Sequence, residues 1–134
     1  MRQLKIMIID DEKGIVFAIE KTYEKKGFIA FGASDGLTAI EVFQKERPDI
    51  IFIDIHMPFS AIDGIETLKR IKEIDKNANC VMLTRIYDDN SIMQTKALGA
   101  MHYITKPFEI EDLDRCIDEV KNKGDGSIVF RKKA

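Results

Sequence analysis

Short apolar runs alternate along the chain with longer segments in which apolar residues recur every three or four positions. The short runs have the length and composition of buried β-strands; they cover residues 4–9, 28–31, 50–53, 80–83 and 101–104. The longer segments have the period of amphipathic α-helices; they cover residues 13–26, 34–47, 65–74, 91–98 and 110–123. The pattern therefore predicts five β-strands, each followed by a helix.

The start of the second helix shows how local signals set the expected boundaries. Ser34 is a good N-cap, because its hydroxyl can accept a hydrogen bond from an otherwise unpaired backbone N–H. Leu37, Ile40 and Phe43 then follow at helical spacing. We expect these three side chains to form the apolar stripe of that helix.

Strands and helices that alternate in this way indicate an α/β fold, a doubly wound five-stranded parallel sheet with helices on both faces. The continuous apolar run at residues 50–53 fits a strand that is covered on both faces. Ligands of such folds bind beyond the carboxyl ends of the strands. One domain over residues 1–123 accounts for the pattern, and residues 124–134 are interpreted as a C-terminal tail or linker stub.

Composition and charge exclude some classes of function. The 134 residues include 21 basic and 23 acidic ones, and this balance argues against direct binding of nucleic acid, which needs a basic excess or a basic face. Cys80 and Cys116 are interpreted as buried thiols in a reducing compartment rather than as a disulfide. The first apolar run is too short for a signal peptide or a membrane span. These observations predict a cytoplasmic protein with no membrane contact.

Residues suited to phosphate and metal chemistry stand at the expected carboxyl ends of four strands. Asp10 and Asp11 follow the first strand, Asp54 the third, Thr84 the fourth and Lys106 the fifth. Carboxylates that share one edge repel each other unless a cation neutralises them, and Mg²⁺ prefers such oxygen ligands. The lysine supplies a point charge for phosphate, and the threonine supplies a hydroxyl donor. The set suits phosphoryl transfer to a carboxylate.

Each residue also has an ordinary structural explanation. Asp10 and Asp11 could cap the first helix, Asp54 could be a turn residue, and Thr84 could be structural. Most lysines are solvated, so Lys106 could belong to the loop before the last helix. The functional interpretation depends on coincidence, because four separate strand ends carry the residue types that a single site requires.

In their order along the chain, these motifs resemble those of the receiver domains of two-component response regulators. The matching segments are Ile-Ile-Asp-Asp-Glu at residues 8–12, Ile-Asp-Ile-His-Met-Pro at 53–58, Leu-Thr at 83–84 and Tyr-Ile-Thr-Lys-Pro-Phe at 103–108. The resemblance implies a flavodoxin-like receiver fold of five βα units. It also implies a phosphoacceptor switch that catalyses only its own phosphorylation and dephosphorylation, and not an enzyme with a separate substrate.

The resemblance implies a role for each matching position. Asp54 would accept the phosphoryl group from a phosphohistidine. Asp11 and Asp54 would hold Mg²⁺ together with the backbone carbonyl of His56, and Asp10 would assist, largely through water. Lys106 would pair with the phosphoryl group.

Two further residues are implied as the switch. Thr84 would move to hydrogen-bond the phosphoryl group, and Tyr103 would then turn inward. This movement would repack the surface formed by the fourth helix, the fifth strand and the fifth helix. The resemblance also implies a cis peptide bond at Lys106-Pro107.

The chain departs from the family pattern beside the expected site. Four residues, 59–62, precede the Asp63 and Gly64 pair where the family has two, so this loop is longer. Arg85 follows the threonine where the family prefers a small residue. The family tunes phosphoryl lifetime two positions after the phosphoacceptor and two after the threonine, here at His56 and Ile86. We expect His56, Arg85 and Ile86 to affect rates of phosphorylation or hydrolysis.

The implied partners are a histidine kinase or histidine phosphotransfer protein as donor and a downstream protein effector; a phosphorylation-dependent homodimer is a further option. One alternative is a pseudo-receiver, a binding module that is never phosphorylated, which Arg85 and the longer loop keep open. The other is a phosphatase of the haloacid-dehalogenase type. Those enzymes carry their nucleophile after the first strand with a second aspartate two residues later, whereas Asp10 and Asp11 are adjacent.

Overall fold

The structure, a computed structural model, describes residues 2–123, in which five strands and five helices alternate. The strands are β1 (Lys5–Ile9), β2 (Ile29–Ala33), β3 (Ile50–Asp54), β4 (Cys80–Thr84) and β5 (His102–Thr105). The helices are α1 (Lys13–Lys25), α2 (Gly36–Glu46), α3 (Gly64–Ile74), α4 (Asp89–Ala97) and α5 (Ile110–Lys123). The expected order of elements is confirmed, and the expected tail at residues 124–134 lies outside the described residues.

The five strands form one parallel sheet in the order β2-β1-β3-β4-β5. β3 is the central strand, and all five of its residues are buried, as the continuous apolar run predicts. The chain runs outward from β1 to β2 and then returns to add β3, β4 and β5 on the other side. The carboxyl ends of β1 and β3 therefore flank the point where strand order reverses, which is where ligands bind in doubly wound sheets.

The two faces of the sheet have separate cores, because successive strand residues point to opposite faces. One core combines strand residues with buried residues of α2 and α3; it includes Met7, Ile9, Phe43, Ile51, Ile53, Leu68 and Ile71. The other combines strand residues with buried residues of α1 and α5; it includes Ile6, Ile8, Ile19, Ile50, Phe52, Leu113 and Ile117. The doubly wound α/β fold is confirmed.

The start of α2 differs from the expectation. The N-cap is Asp35 and not Ser34, since the Asp35 carboxylate accepts a hydrogen bond from the backbone N–H of Thr38 at 2.8 Å. Leu37 is exposed, whereas the small residues Gly36 and Ala39 are buried. A Cβ atom at Gly36 would lie 2.3 Å from the hydroxyl of Thr67 in α3. The close approach of α2 and α3 thus selects small residues for the buried face and leaves Leu37 outside it.

The cysteines lie in β4 and α5. Both Cys80 and Cys116 are buried thiols, as expected. Burial raises the pKa of the Cys80 thiol to about 12, so this group stays protonated at neutral pH. Between residues 2 and 123, no helix is both long enough and apolar enough to cross a membrane.

Candidate functional site

The carboxyl edge of the sheet brings together the polar residues that the sequence singled out. Asp54 is the last residue of β3 and Thr84 the last of β4, while Asp10 directly follows β1 and Lys106 directly follows β5. Asp10, Asp54 and Thr84 are almost fully buried. Because burying a polar group is costly unless it has partners, their contacts decide what this edge can do.

Three carboxylates form a cluster at this edge. Asp10, Asp11 and Asp54 each present one oxygen atom, and these atoms lie within 4.8 Å of one another. The ammonium of Lys106 lies 2.8 Å from Oδ2 of Asp10 and 3.5 Å from Oδ2 of Asp54. A single lysine charge cannot neutralise three carboxylates, so the cluster keeps an excess of negative charge that favours a further cation.

Asp10 is fixed by two hydrogen bonds. One carboxylate oxygen accepts from the backbone N–H of Glu12 at 2.9 Å, and the other accepts from Lys106. The N-cap position of α1 is occupied by Glu12, whose side chain makes no capping hydrogen bond. Asp10 therefore also satisfies a backbone N–H at the start of α1, although neither Asp10 nor Asp11 is the N-cap residue. Asp11 is half-buried, and its carboxylate faces the backbone N–H of Phe59 at 3.4 Å.

The environment of Asp54 raises its pKa from 3.8 to about 6. Burial is the main cause, and the negative charge of Asp10 adds to it, while the ammonium of Lys106 opposes both. Without a further cation, Asp54 is thus ionised at neutral pH, but its ionised form is less stable than that of a carboxylate in water. Any cation that binds the cluster would stabilise the ionised form.

Thr84 and Tyr103 meet at one backbone carbonyl, that of Ile86 in the loop between β4 and α4. The hydroxyl of Thr84 accepts a hydrogen bond from the N–H of Ile86 and lies 3.1 Å from its carbonyl oxygen. The hydroxyl of Tyr103 donates to the same carbonyl at 3.1 Å. The Tyr103 ring also packs edge-to-face against Tyr87, with 6.4 Å between ring centroids. A movement of this loop would therefore affect both Thr84 and Tyr103.

A cleft borders the carboxylate cluster, and we call it the acidic cleft. Its lining includes Asp11 and all three residues expected to affect rates, His56, Arg85 and Ile86. The side chains of these three residues are exposed. The backbone carbonyl of His56 stays a predicted metal ligand.

The loop between β3 and α3 packs on α2. The hydroxyl of Ser60 accepts a hydrogen bond from the N–H of Gly36 at 2.8 Å and donates to the carbonyl of Ile62 at 2.7 Å. Asp63 caps α3, since its carboxylate accepts from the N–H of Glu66 at 2.8 Å. The additional residues of this loop are thus tied to the body of the domain, while the Phe59 side chain is 93% exposed.

Two contacts of the site escaped the sequence analysis. Glu12 forms an ion pair with Arg85, and Ser60 caps the first turn of α2. A signal for the first contact was available, since an acidic and a basic residue directly follow the site positions at Asp11 and Thr84. The peptide bond at Lys106-Pro107 is cis, as the resemblance implied.

Comparison with known proteins agrees with this geometry. Residues 6–118 match the family described as the response regulator receiver domain. Among curated proteins, the chain is 38% identical over 113 residues to sporulation initiation phosphotransferase F of Bacillus subtilis, covering 84% of this chain and 90% of the relative. It is also 32% identical to the chemotaxis protein CheY of Halobacterium salinarum, covering 87% of this chain and 95% of the relative.

Solved structures give the same result. The structure of the chemotaxis protein CheY4 of Vibrio cholerae superposes with a TM-score of 0.81 at 29% identity, covering 89% of this chain and 99% of that one. Proteins of this kind are signalling switches and are not generally classed as enzymes. By its family match, its relatives and its fold, the chain belongs to the receiver domains of two-component response regulators.

Proposed function

We propose that this receiver domain works as a phosphoacceptor switch in which Asp54 takes a phosphoryl group from a histidine kinase or a histidine phosphotransfer protein. The observation that carries the proposal is the position of the Lys106 ammonium, 2.8 Å from Asp10 and 3.5 Å from Asp54 inside the carboxylate cluster. Phosphoryl transfer requires groups that stabilise the charge of the phosphoryl oxygens more than it requires a strong base, and an ammonium in this position supplies such a charge.

The transfer itself needs only a small set of groups. A carboxylate oxygen of Asp54 attacks the phosphorus atom, the bond from phosphorus to the donor imidazole breaks, and the imidazole leaves. Asp54 must be ionised to act as the nucleophile, and its pKa of about 6 permits this at neutral pH. Once Asp54 is esterified, the Lys106 ammonium is close enough to form an ion pair with a phosphoryl oxygen.

The donor set of the site fits Mg²⁺. Asp11 and Asp54 would hold the ion directly, Asp10 would act largely through water, and the backbone carbonyl of His56 would complete the protein ligands. Three carboxylate oxygens within 4.8 Å, one of them half-exposed to the acidic cleft, suit a hard cation that keeps several waters. When bound, Mg²⁺ supplies positive charge that offsets the carboxylates and the phosphoryl oxygens.

The switch would act through the loop that carries Ile86. A phosphoryl oxygen on Asp54 competes for the Thr84 hydroxyl, which in this structure is paired with the backbone of Ile86. Loss of that pairing moves the carbonyl that Tyr103 binds, so Tyr103 turns inward and the surface of α4, β5 and α5 repacks. Phosphorylation shifts the population toward an active arrangement that already exists.

The repacked surface would act on a protein partner in the cytoplasm, either a separate effector or an attached output domain. A phosphorylation-dependent homodimer would use the same surface. His102 on β5 already pairs with Glu119 on α5 at 2.8 Å, so the side of β5 that faces α5 is occupied within the domain. The direct partners are proteins and not nucleic acid.

Intact-mass measurement after incubation with acetyl phosphate tests the proposal. Wild type is expected to gain one phosphoryl group in the presence of Mg²⁺, and to gain none in EDTA. Asp54→Asn should gain none in either condition. A wild type that gains nothing from acetyl phosphate or from a histidine phosphotransfer protein would instead be a pseudo-receiver, and gain in Asp54→Asn would place the acceptor elsewhere.

A further inference from the structure

The ion pair between Arg85 and Glu12 joins the chain segments that follow β4 and β1, the two strands on either side of β3. Arg85 directly follows β4, and Glu12 lies in the connection that follows β1. The sheet order places β3 between these two strands, and Asp54 is the last residue of β3. Neighbouring strands are about 4.8 Å apart, so a side-chain contact from β4 to the β1 connection spans the carboxyl end of β3.

The same pair separates two concave surfaces. Arg85 and Glu12 line the acidic cleft together with Asp11 and His56. They also line a second depression with Ile15, Lys106 and Phe108, which we call the apolar groove. Because both residues border both surfaces, the ion pair forms the ridge between them, next to the site residues Asp11 and Lys106.

We infer that the Arg85–Glu12 ion pair is a strap that restricts the access of phosphodonors to Asp54 and thereby favours protein donors over small ones. The inference rests on the proposed function. The strap must open before a donor phosphorus reaches the Asp54 oxygen in line. Both side chains are about half-exposed or more, so the ion pair breaks easily. The strap therefore slows access in proportion to the fraction of molecules in which the pair is formed, and it does not block access permanently.

The size of the effect follows from the exposure of the pair. Exposed ion pairs favour the closed geometry by roughly five-fold at most. A small donor makes few contacts with the protein, so it cannot stabilise the open strap and reacts only with the fraction of molecules that are already open. A protein donor that covers the apolar groove can hold the strap open through its own contacts. Discrimination by the strap is therefore expected to reach about five-fold.

Rates of phosphorylation by acetyl phosphate, at saturating Mg²⁺ and low salt, test the strap. Glu12→Gln and Arg85→Gln are each expected to raise the rate, by up to about five-fold. Their double variant should be no faster than either single variant, since each change already opens the strap. The exchanged pair, Glu12→Arg with Arg85→Glu, should return the rate to within about two-fold of wild type, because it restores the contact with reversed charges.

The sign of the rate change in each single variant distinguishes the strap from a simple effect of charge. If charge alone mattered, removal of Glu12 would accelerate an anionic donor, while removal of Arg85 would slow it. A slower Arg85→Gln, additive single effects, or an exchanged pair as fast as the single variants would each overturn the inference. A matched control is Glu24→Gln, which removes an ion pair with Lys21 of similar exposure on α1; this variant should react at the wild-type rate.

The outcome also distinguishes this inference from the proposed function. If wild type and every variant are phosphorylated at one common rate, and Asp54→Asn abolishes phosphorylation, then the strap is wrong and the phosphoacceptor stands. If no protein takes up a phosphoryl group from acetyl phosphate or from a histidine phosphotransfer protein, both fail together.

Discussion

Asp54, the proposed phosphoacceptor, lies in a place where the fold disfavours its ionised form. Its pKa is raised to about 6 by burial and by the neighbouring Asp10 carboxylate, against the attraction of Lys106. An unfolded chain would ionise the same carboxyl near pH 4. Between these two values the folded state binds the extra proton, so this residue lowers stability as pH rises from about 4 to about 6. Above pH 6 the free energy of unfolding stays lower by the full amount that corresponds to this pKa shift.

The variant Asp54→Asn should therefore stabilise the metal-free protein at neutral pH. A shift of about two pKa units, which already includes the opposing attraction of Lys106, corresponds to about 3 kcal/mol, so we expect a gain of up to about 3 kcal/mol at pH 7. At pH 4 the gain should vanish, because wild type is then neutral at this position. Urea unfolding in EDTA at both pH values measures the difference. Equal stability of the two proteins at pH 7 would contradict the account.

The connection between β3 and α3 is the loop that is longer than in the family pattern. Hydrogen bonds hold its residues in place, since the Ser60 hydroxyl accepts from the first N–H of α2 and the Asp63 carboxylate caps α3. Gly64 is also in close contact with the strand end, because a Cβ atom there would lie 2.1 Å from the carbonyl oxygen of Asp54. The start of α3 thus packs directly against the backbone of Asp54, the proposed phosphoacceptor.

Ser60→Ala should destabilise the domain by about 1 kcal/mol, the usual cost of losing a helix-terminal hydrogen bond. The change removes the acceptor for the Gly36 N–H and leaves the Ile62 carbonyl without its donor hydroxyl. Ser34→Ala is a matched control, since Asp35 and not Ser34 caps α2. It should change the free energy of unfolding by less than about 0.5 kcal/mol. If Ser34→Ala were the more costly change, the position of the cap would be wrong.

Gly64→Ala should destabilise the domain by about 2–3 kcal/mol, because the new methyl group overlaps the backbone of Asp54 and Ile55 and forces the strand end or the helix start to move. It should also slow phosphorylation, since the displaced backbone carries Asp54, the proposed acceptor. Gly14→Ala in α1 is the control: a Cβ atom there meets nothing within 4 Å. This second variant should gain about 0.5–1 kcal/mol from helix propensity. Denaturant unfolding and the acetyl phosphate rate report both effects.

At the scale of the whole molecule, the hydrophobic pattern of the sequence predicted the fold. The short continuous apolar runs of the strands and the period near 3.6 in the helices predict the order of elements and the shared carboxyl edge. Contacts between distant loops do not follow from this pattern: Glu12 and Arg85 are 73 residues apart and are related in the sequence only by their opposite charges beside two site positions, and Ser60 and Gly36 are 24 apart. The choice of Asp35 over Ser34 as cap also escaped the pattern, because both residues are good N-caps and stand side by side.

If the three carboxylates bind Mg²⁺ as proposed, folding, metal binding and protonation are coupled through them, and this coupling gives a prediction for the whole domain. A cation that binds only the folded state stabilises it by about 1.4 kcal/mol when present at ten times its dissociation constant. We expect Mg²⁺ to raise the free energy of unfolding of wild type at pH 7. At pH 5 the gain should be smaller, since a proton on Asp54, whose pKa is about 6, competes with the ion.

Urea unfolding with and without Mg²⁺ at pH 5 and pH 7 measures this coupling, and two isosteric variants locate it. Asp11→Asn should lose most of the gain at pH 7, because it removes a ligand from the cluster of carboxylates within 4.8 Å. Asp118→Asn changes an exposed carboxylate on α5 and should keep the full gain. A gain that survives in Asp11→Asn, or that does not fall at pH 5, would mean that Mg²⁺ stabilises the fold from elsewhere. The carboxylate cluster would then not be the site of the ion, and the proposed dependence of phosphorylation on Mg²⁺ would lose its structural basis.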